Sequence, residues 1–364
     1  MSASVALQVQ QSALGGFAAE RFAIARVLSF VEAAGIARVL AEHSPFALAE
    51  GAPLLQSSLG FAGDAVRSRM LRVLLDLLSE CGCLRPGSGD TRALSELPLS
   101  AHCESGGSQA GPRLGADGQV EFFERCLGHV EAFLRGAPPL FDFGPDSAAA
   151  WDGLLGSESL SRARAILARL LLPRDDRGMD VLVLCYGPGF DLVQIEARCP
   201  GARVTALDFT NAFKSRAWGR LRAPERVCWV DAGSWGGFGT ALPFPGESFD
   251  LVVFSCAEPY IPLDRRPFTL RDLRRVVRPG GRVGVLTHSY PDEPRRAVPD
   301  PWLRRVTLCH DFLESVCQGW CGFSEAAALH AEFESAGFRV DLVTHNSSIW
   351  RLANPVRERG AERG

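Results

Sequence analysis

Short runs of β-branched and apolar residues alternate with helical segments from about residue 158 onward, and this alternation restricts the folds open to that part of the chain. Such alternation is typical of βαβ units, which build a mostly parallel sheet. Only a short turn separates the final two runs, which predicts an antiparallel pair at one edge. We therefore expect an α/β fold with a doubly wound, seven-stranded sheet. The seven runs are 180–185, 203–208, 226–231, 249–255, 281–287, 338–344 and 347–353.

The first part of the chain carries helical patterns instead. Residues 17–42, 64–80 and 119–135 place apolar side chains at helical spacing, and Asp64 is a suitable N-cap for the second of these helices. Residues 86–118 are rich in glycine, serine and proline, which indicates turns, a small hairpin or a mobile loop. The predicted domains are an N-terminal mainly helical domain over 1–148, a Rossmann-like domain over 149–355 and a disordered tail over 356–364.

Composition narrows the classes of function. The 364 residues carry a formal net charge of −3, and the arginines are dispersed among acidic residues, so no nucleic-acid partner is expected. The chain begins with no basic leader and contains no long apolar run, which predicts a cytoplasmic protein with no membrane partner. Cys309, His310, Cys317 and Cys321 do not match the usual spacing of zinc ligands, so no metal is expected.

A glycine-rich turn and a series of acidic residues mark the predicted ligand crevice. The first run ends in Cys-Tyr-Gly-Pro-Gly-Phe-Asp at 185–191, where the glycines let a ligand approach the backbone as a helix begins. The second run ends in Asp208, which is placed to accept hydrogen bonds from both hydroxyls of a ribose. The third run ends in Asp231 and Ala232, and the fifth follows an Arg-Pro-Gly-Gly turn at 278–281.

This ordered series resembles the class I methyltransferases that use S-adenosylmethionine (SAM), and the likeness extends from the glycine turn to the Ser-Ala-Gly-Phe-Arg-Val segment at 335–340. The resemblance implies a Rossmann-like methyltransferase fold with SAM as the co-substrate. It assigns the methionine part of SAM to the glycine turn, the ribose to Asp208, and the adenine to residues after the second and third strands. The residues that would contact SAM are Cys185, Gly187, Gly189, Asp208, Phe209, Asp231, Ala232, Ser255 and Cys256.

The N-terminal helices resemble, more loosely, the helical dimerisation domain of small-molecule O-methyltransferases. The likeness rests on Gly-Ile-Ala-Arg-Val-Leu-Ala-Glu at 35–42 and on the apolar helix at 69–84. It implies a helical lid over the site, a small-molecule substrate and a homodimer that forms through these helices.

The first strand and its turn depart from the family pattern. Family members usually carry an acid and, two residues later, a glycine where this chain has Val183 and Cys185. The three tyrosines of the chain, Tyr186, Tyr260 and Tyr290, each lie just beyond a predicted strand end. Tyrosine rings attract a cation such as a sulfonium, which favours a role in the pocket. The alternative interpretation is that tyrosines simply favour half-exposed strand ends.

A general base is less evident. The plant-type O-methyltransferases place a His-Asp pair after the fourth strand, but residues 256–273 of this chain contain no histidine. Glu258 is the nearest acidic candidate, and His288, after the fifth strand, is the other. The residues considered for catalysis are therefore Tyr186, Glu258, Tyr260, His288 and Tyr290.

Three functions remain open from the sequence. The first is methyl transfer from SAM to a small-molecule acceptor in specialised metabolism, in which the protein mainly aligns a nucleophile with the methyl group. The second resembles the SAM-cyclising azetidine-2-carboxylate synthases and uses SAM alone: the α-amine of SAM attacks its own γ-carbon and expels methylthioadenosine. The third is a non-catalytic protein that binds SAM or its demethylated product, S-adenosylhomocysteine (SAH).

Overall fold

The computed structural model describes residues 18–96, 98–99, 118–172, 178–291, 301–344 and 348–356. Some sequence-based predictions fall on other residues. Most of the loop predicted over 86–118, the turn between the last two strands and nearly all of the tail predicted over 356–364 lie outside the described residues.

The chain divides into two compact units. The first unit consists of Met1–Asp142 and Glu293–Gly322, and the second of Phe143–Asp292 and Phe323–Gly364. These units differ from the predicted domains, which placed a single boundary between residues 148 and 149. The later segment returns to the first unit, and its sequence does not reveal this, because an apolar helix face shows that the helix is buried but not which neighbour buries it.

Helices dominate the first unit, as the sequence predicts, and they accompany a small antiparallel sheet in the order β1-β3-β2. None of the helices within the described residues has the length and apolar character needed to span a membrane. The elements are α1 (Ala18–Ala33), α2 (Ile36–Glu42), β1 (Phe46–Ala47), α3 (Leu48–Leu59), α4 (Ala65–Glu80), β2 (Leu84–Pro86), β3 (Thr91–Leu94), α5 (Gly118–Leu134) and α11 (Pro301–Glu314).

Helix α4 shows how the sequence determines these elements. The Asp64 side chain accepts hydrogen bonds from the backbone N–H groups of Val66 and Arg67, at 3.1 Å each, and so caps the helix as predicted. One face of α4 is fully buried. From that helix Arg69 reaches the buried Asp311 of α11, and the Arg69 Nη2 atom lies 2.7 and 2.6 Å from the two carboxylate oxygens. The Trp320 indole N–H donates to the same carboxylate at 2.8 Å.

The second unit is built on a sheet of seven strands within the described residues, which confirms the predicted fold class. Helices and strands alternate along most of it. The elements are α6 (Ala148–Leu155), α7 (Glu158–Leu171), β4 (Asp180–Leu184), α8 (Phe190–Arg198), β5 (Arg203–Leu207), α9 (Lys214–Arg220), β6 (Val227–Trp229), β7 (Phe249–Ser255), α10 (Arg266–Val276), β8 (Val277–Leu286), β9 (Ser289–Tyr290), β10 (Ser324–Glu325), α12 (Ala326–Ser335), β11 (Arg339–Thr344) and β12 (Ile349–Ala353).

The strand order, β11-β12-β8-β7-β4-β5-β6, determines where a ligand can bind. Strand β4 pairs in parallel with β5 on one side and with β7 on the other, and β7 continues in parallel to β8. The chain therefore reverses its direction of growth between β4 and β7. In open α/β sheets, the crevice at the carboxyl ends of the strands beside such a reversal is the usual ligand site. The predicted antiparallel edge pair is formed by β11 and β12.

The core of the second unit explains why its central strands are so apolar. Leu182, Val252 and Val283, on three adjacent strands, are fully buried. Trp350 of β12 and Phe333 of α12 complete the core near the β11 edge of the sheet. A parallel sheet with helices on both faces leaves little strand surface for water, so its strands are nearly continuous apolar runs.

The ion pair in the first unit can be tested by substitution. Asp311→Asn leaves the Arg69 guanidinium with a neutral partner, so we expect the free energy of unfolding to fall by about 3 kcal/mol in urea titrations. Glu131→Gln removes one partner of the exposed Glu131–Arg135 pair and should change it by less than about 1 kcal/mol. Equal effects of the two substitutions would contradict a structural role for Asp311.

Candidate active site

The glycine turn joins β4 to α8 at the carboxyl edge of the sheet. The backbone N–H of Gly189 donates to the Tyr186 carbonyl at 3.0 Å and closes the turn. Gly189 is the N-cap of α8, with a φ of +93°. A Cβ atom there would lie 2.7 Å from the Cα of Ala217, so only glycine lets the turn approach α9 this closely.

Asp208 lies directly beside this turn, at the end of β5. Its carboxylate accepts hydrogen bonds from the backbone N–H groups of Gly187 and Phe209, at 2.8 Å each. The side chain is buried, and burial raises its pKa from 3.8 to about 7, although the N–H donors oppose the rise. A carboxylate oxygen can accept more than one hydrogen bond, so Asp208 retains acceptor capacity for hydroxyl groups of a ligand.

Asp231 is held by a residue that the sequence analysis missed. Asn211 donates from its side-chain amide to Asp231 Oδ2 at 3.2 Å and accepts from the Ala232 N–H at 3.4 Å. The N–H of Gly233 donates to Asp231 Oδ1 at 2.7 Å. Asp231 remains exposed at the end of β6. Asn211 lies in the loop after β5, and a single polar loop residue has no pattern that would reveal this role.

Two cysteines adopt a backbone conformation that usually belongs to glycine. Cys185 follows β4 with a φ of 56°, and Cys256 follows β7 with a φ of 60°. The Cys185 N–H donates to the Leu207 carbonyl at 2.7 Å, and the Cys256 N–H donates to the Leu286 carbonyl at 2.6 Å. The hydrogen bonding between neighbouring strands therefore extends to each strained residue. Burial and the charge of Asp208 hold the pKa of the Cys185 thiol well above its ordinary value.

A buried arginine supports the carboxyl end of β7. Arg164 of α7 pairs with Asp191 at 3.4 Å, and its Nη2 atom donates to the Cys256 sulfur at 3.8 Å. It also donates to the carbonyl of Leu155. The Ser255 hydroxyl donates to Asp191 at 3.1 Å. This network joins Asp191, in the first turn of α8, to Ser255 and Cys256 at the end of β7, which the sequence analysis predicted to close the pocket.

Aromatic rings cluster between the ends of β5 and β7. Phe143 stacks on Trp151 with ring centroids 5.3 Å apart, and it meets the ring of Tyr260 edge-on at 5.1 Å. The Phe143 ring also meets Phe209 edge-on at 4.8 Å. Phe143 and Trp151 lie outside the motifs that carried the sequence analysis, because they precede β4. The cluster forms an apolar wall beside the crevice.

The tyrosine after β4 has different neighbours. Tyr186 meets Trp229 edge-on at 5.3 Å, at the end of β6. Tyr290, in β9, lies opposite Glu325 in the short parallel ladder with β10. All three tyrosines are buried. The ring contacts of Tyr186 and Tyr260 therefore belong to different parts of the carboxyl edge.

Glu258 takes part in a buried cluster of charges and hydroxyl groups. One carboxylate oxygen accepts from the Thr287 hydroxyl at 2.9 Å. The other lies 3.0 Å from Arg266 Nη2 and accepts from the Ser324 hydroxyl at 3.3 Å. Arg266 also pairs with Glu332 at 3.3 Å. Burial raises the pKa of Glu258, and the charge of Arg266 opposes the rise. These contacts tie together the segments that follow β7, β8 and β10.

His288 directly follows Thr287, one member of this cluster, along the chain. Its ring is half-buried and meets Phe323 edge-on, with ring centroids 5.4 Å apart. A histidine changes charge near neutral pH and can therefore accept a proton at physiological pH. His288 and Glu258 both stay predicted bases, and the Glu258 carboxylate already pairs with Arg266.

Metal ligation is the remaining point of chemistry. Within the described ranges, no group of three or more histidine, cysteine or acidic side chains could hold a metal ion. Helix α11 ends at Glu314, so Cys317 and Cys321 lie beyond it and do not share its face.

Comparison with known proteins identifies the central part of the second unit. Residues 181–281 match the family model described as a methyltransferase domain. Over these residues the chain is similar to methyltransferase domains. The family and fold predicted from the sequence are confirmed, and the SAM-cyclising branch stays a prediction.

Curated relatives match a part of this chain, over a part of their own length. A ubiquinone/menaquinone biosynthesis C-methyltransferase UbiE from Paracoccus denitrificans is 37% identical over 129 residues, which cover 34% of this chain and 47% of the relative. A demethylmenaquinone methyltransferase from Clavibacter sepedonicus is 28% identical over 173 residues, which cover 44% of this chain and 66% of the relative. The chain thus spans about half to two thirds of these relatives.

Solved structures resemble the chain over nearly its whole length. The DszA carbon methyltransferase superposes with a TM-score of 0.64 at 18% identity, and the match covers 98% of this chain and 95% of that one. The CurJ carbon methyltransferase gives 0.62 at 16% identity, with 95% and 93% covered. These likenesses show that the fold is shared.

The raised pKa of Asp208 predicts how nucleoside binding to the methyltransferase domain depends on pH. Only the carboxylate accepts two ribose hydroxyl bonds, and its population rises about tenfold between pH 6 and pH 8 for a pKa near 7. Affinity for methylthioadenosine, which has no amine that titrates in this range, should rise by about the same factor in calorimetry. Asp208→Asn should bind weakly with no pH dependence, whereas a flat wild-type profile would contradict the assignment.

The raised pKa of Asp208 affects stability in the opposite direction: the ligand-free protein should become less stable as the pH rises. Because the folded-state pKa of Asp208 lies above the usual 3.8, its contribution to stability is fully present below pH 3.8. That contribution is lost as the pH rises through about 7.

The Glu258 cluster predicts a non-additive effect on stability. Glu258→Gln leaves the buried Arg266 guanidinium with the partly exposed Glu332 as its charged partner, so the free energy of unfolding should fall by about 2 kcal/mol. Glu258→Gln combined with Arg266→Met removes both charges and should recover more than half of that loss in urea titrations. If the double variant is less stable than the single one, the Arg266 charge is not the reason for the loss.

Proposed function

We propose that this protein is a SAM-dependent methyltransferase that acts on a small-molecule acceptor. The observation that carries the proposal is the position of Asp208 at the end of β5. Its buried carboxylate accepts a hydrogen bond from the glycine turn after β4 and from Phe209, and it can accept further hydrogen bonds. The match of residues 181–281 to a methyltransferase domain supports it.

The residues present fit SAM on physical grounds. Gly189 lets the glycine turn pack closely against α9, and the backbone N–H of Gly187 in the same turn donates to the Asp208 carboxylate. Asp208 would hold the ribose, and Asp231, oriented by Asn211, would lie near the adenine edge. When bound there, SAM supplies an electrophilic methyl group on a sulfonium.

The chain's own residues would then align the acceptor and exclude water. The wall formed by Phe143, Trp151 and Tyr260 is apolar and would limit the access of water to a ligand bound beside it. Alignment of a nucleophile with a methyl group is the main source of rate acceleration in such a reaction. Where the acceptor must lose a proton, His288 would take it.

The relatives suggest which acceptors to test first. Two of them are named for quinone biosynthesis, and an aromatic wall suits a flat, apolar acceptor. A quinol or phenol carbon or oxygen is therefore the first class of nucleophile to examine. A role in specialised metabolism, a cytoplasmic location and a homodimer through the first unit stay predictions from the sequence.

A second candidate is the cyclisation of SAM to azetidine-2-carboxylate and methylthioadenosine. The cluster of Phe143, Trp151 and Tyr260 favours it, because aromatic rings stabilise a sulfonium and a sealed apolar site needs no acceptor. The same wall serves both candidates, so only product analysis separates them.

Mass spectrometry of the purified protein distinguishes these functions. With SAM and a panel of demethylated quinols and phenols, we expect SAH and a product 14 mass units heavier than one acceptor (about one CH₂ group). Asp208→Asn should reduce turnover at least about a hundredfold, because two hydrogen bonds to the ribose are lost or weakened. Formation of methylthioadenosine and azetidine-2-carboxylate from SAM alone would contradict methyl transfer and support cyclisation. Binding of SAM without any product would support a non-catalytic protein instead.

A further inference from the structure

The backbone around Tyr186 is fixed on both sides of the residue. The Tyr186 carbonyl accepts the hydrogen bond that closes the glycine turn, and the next N–H, from Gly187, donates to Asp208 at 2.8 Å. The side chain is only 3% exposed. Tyr186 therefore stays beside the Asp208 carboxylate while the turn is intact.

The ring of Tyr186 points toward the β6 side of the sheet. It meets Trp229 edge-on at 5.3 Å, and Trp229 is itself held by a hydrogen bond from its indole N–H to the Pro224 carbonyl at 2.9 Å. Trp229 precedes Asp231 by two residues. The strands that lead to Tyr260 and Tyr290, β7 and β8, lie on the other side of β4.

In the part of the chain that the structure describes, the hydroxyl of Tyr186 hydrogen-bonds no other residue, and its oxygen is not among the fully buried polar atoms that lack a partner. A hydroxyl that is not sealed off in this way can take a ligand atom as its partner. Burial, together with the charges of Asp208 and Asp231, raises the pKa of Tyr186, so the hydroxyl keeps its proton and can donate it. In their ionised forms the two acids accept hydrogen bonds from protein or ligand and do not donate, so a tyrosine donor beside them would complement the acceptor atoms of a nucleoside.

We infer that Tyr186 is a specificity-determining residue that hydrogen-bonds the nucleoside of SAM, beside Asp208 and Asp231. This inference rests on the proposed use of SAM and changes the role expected for Tyr186 from the sequence. A residue that contacts the sulfonium distinguishes SAM from uncharged analogues. A residue that contacts the nucleoside contributes equally to every ligand that contains it.

Calorimetric titration of three ligands with three proteins tests this difference. The ligands are SAM, SAH and methylthioadenosine, of which only SAM carries a sulfonium. The proteins are the wild type, Tyr186→Phe and the control Ser248→Ala, which removes a partly exposed hydroxyl before β7, at the opposite edge of the sheet. Tyr186→Phe keeps the ring against Trp229 and removes one hydroxyl, so we expect all three ligands to bind about 3- to 10-fold more weakly, as for the loss of one hydrogen bond. Ser248→Ala should leave the binding of all three ligands unchanged.

Deoxy analogues of methylthioadenosine identify the contacted atom. If Tyr186 contacts a ribose oxygen, Tyr186→Phe should not weaken the binding of the 2′-deoxy or 3′-deoxy analogue that lacks it. If Tyr186 contacts the adenine, both analogues should still show the loss. Either result supports the inference, and the melting temperature of Tyr186→Phe controls for folding.

Two results would overturn the inference while the proposed function stands. One is a loss confined to SAM, which would place Tyr186 at the sulfonium. The other is unchanged binding of all three ligands to a folded Tyr186→Phe protein. If the wild type binds none of the three ligands, the use of SAM itself is wrong, and the role of Tyr186 is wrong with it.

Discussion

The carboxylate of Asp208 is the point on which the candidate site depends. It accepts N–H groups from both the glycine turn after β4 and the residue after β5, so it joins the two segments that line the crevice. This carboxylate is buried, and water cannot replace those donors without opening the turn. The N–H of Gly187 that it accepts directly follows Tyr186 and lies two residues after the strained Cys185, so this hydrogen bond restrains the start of the turn.

Features that repeat along the chain could be predicted from the sequence. The seven strands, the helix that Asp64 caps and the antiparallel edge pair each leave a periodic or punctuated pattern, and all of them form. The glycine turn and Asp208 were predictable because their spacing along the chain is determined by one βαβ unit. Local pattern therefore determines most of the second unit.

Contacts between distant residues could not be predicted. The Arg164 network and the Glu258 cluster each join side chains far apart in sequence, and an arginine in an amphipathic helix normally faces water. Glu258 attracted attention as a base because of its place after the fourth strand of the series, but nothing in its neighbourhood shows that Arg266 would be buried against it. Asn211 lies in an irregular segment, where no period exists to reveal a role.

The return of residues 293–322 to the first unit has a consequence for how the chain folds during synthesis. Arg69 leaves the ribosome 242 residues before Asp311, the carboxylate that it pairs with. The first unit therefore cannot be completed until the strands from β4 to β9 have been made. A fragment that begins at Phe143 would contain α11 without its neighbours and would expose side chains such as Phe312 and Leu313, which are fully buried in the whole chain. Neither unit can be separated from the other by a single cut.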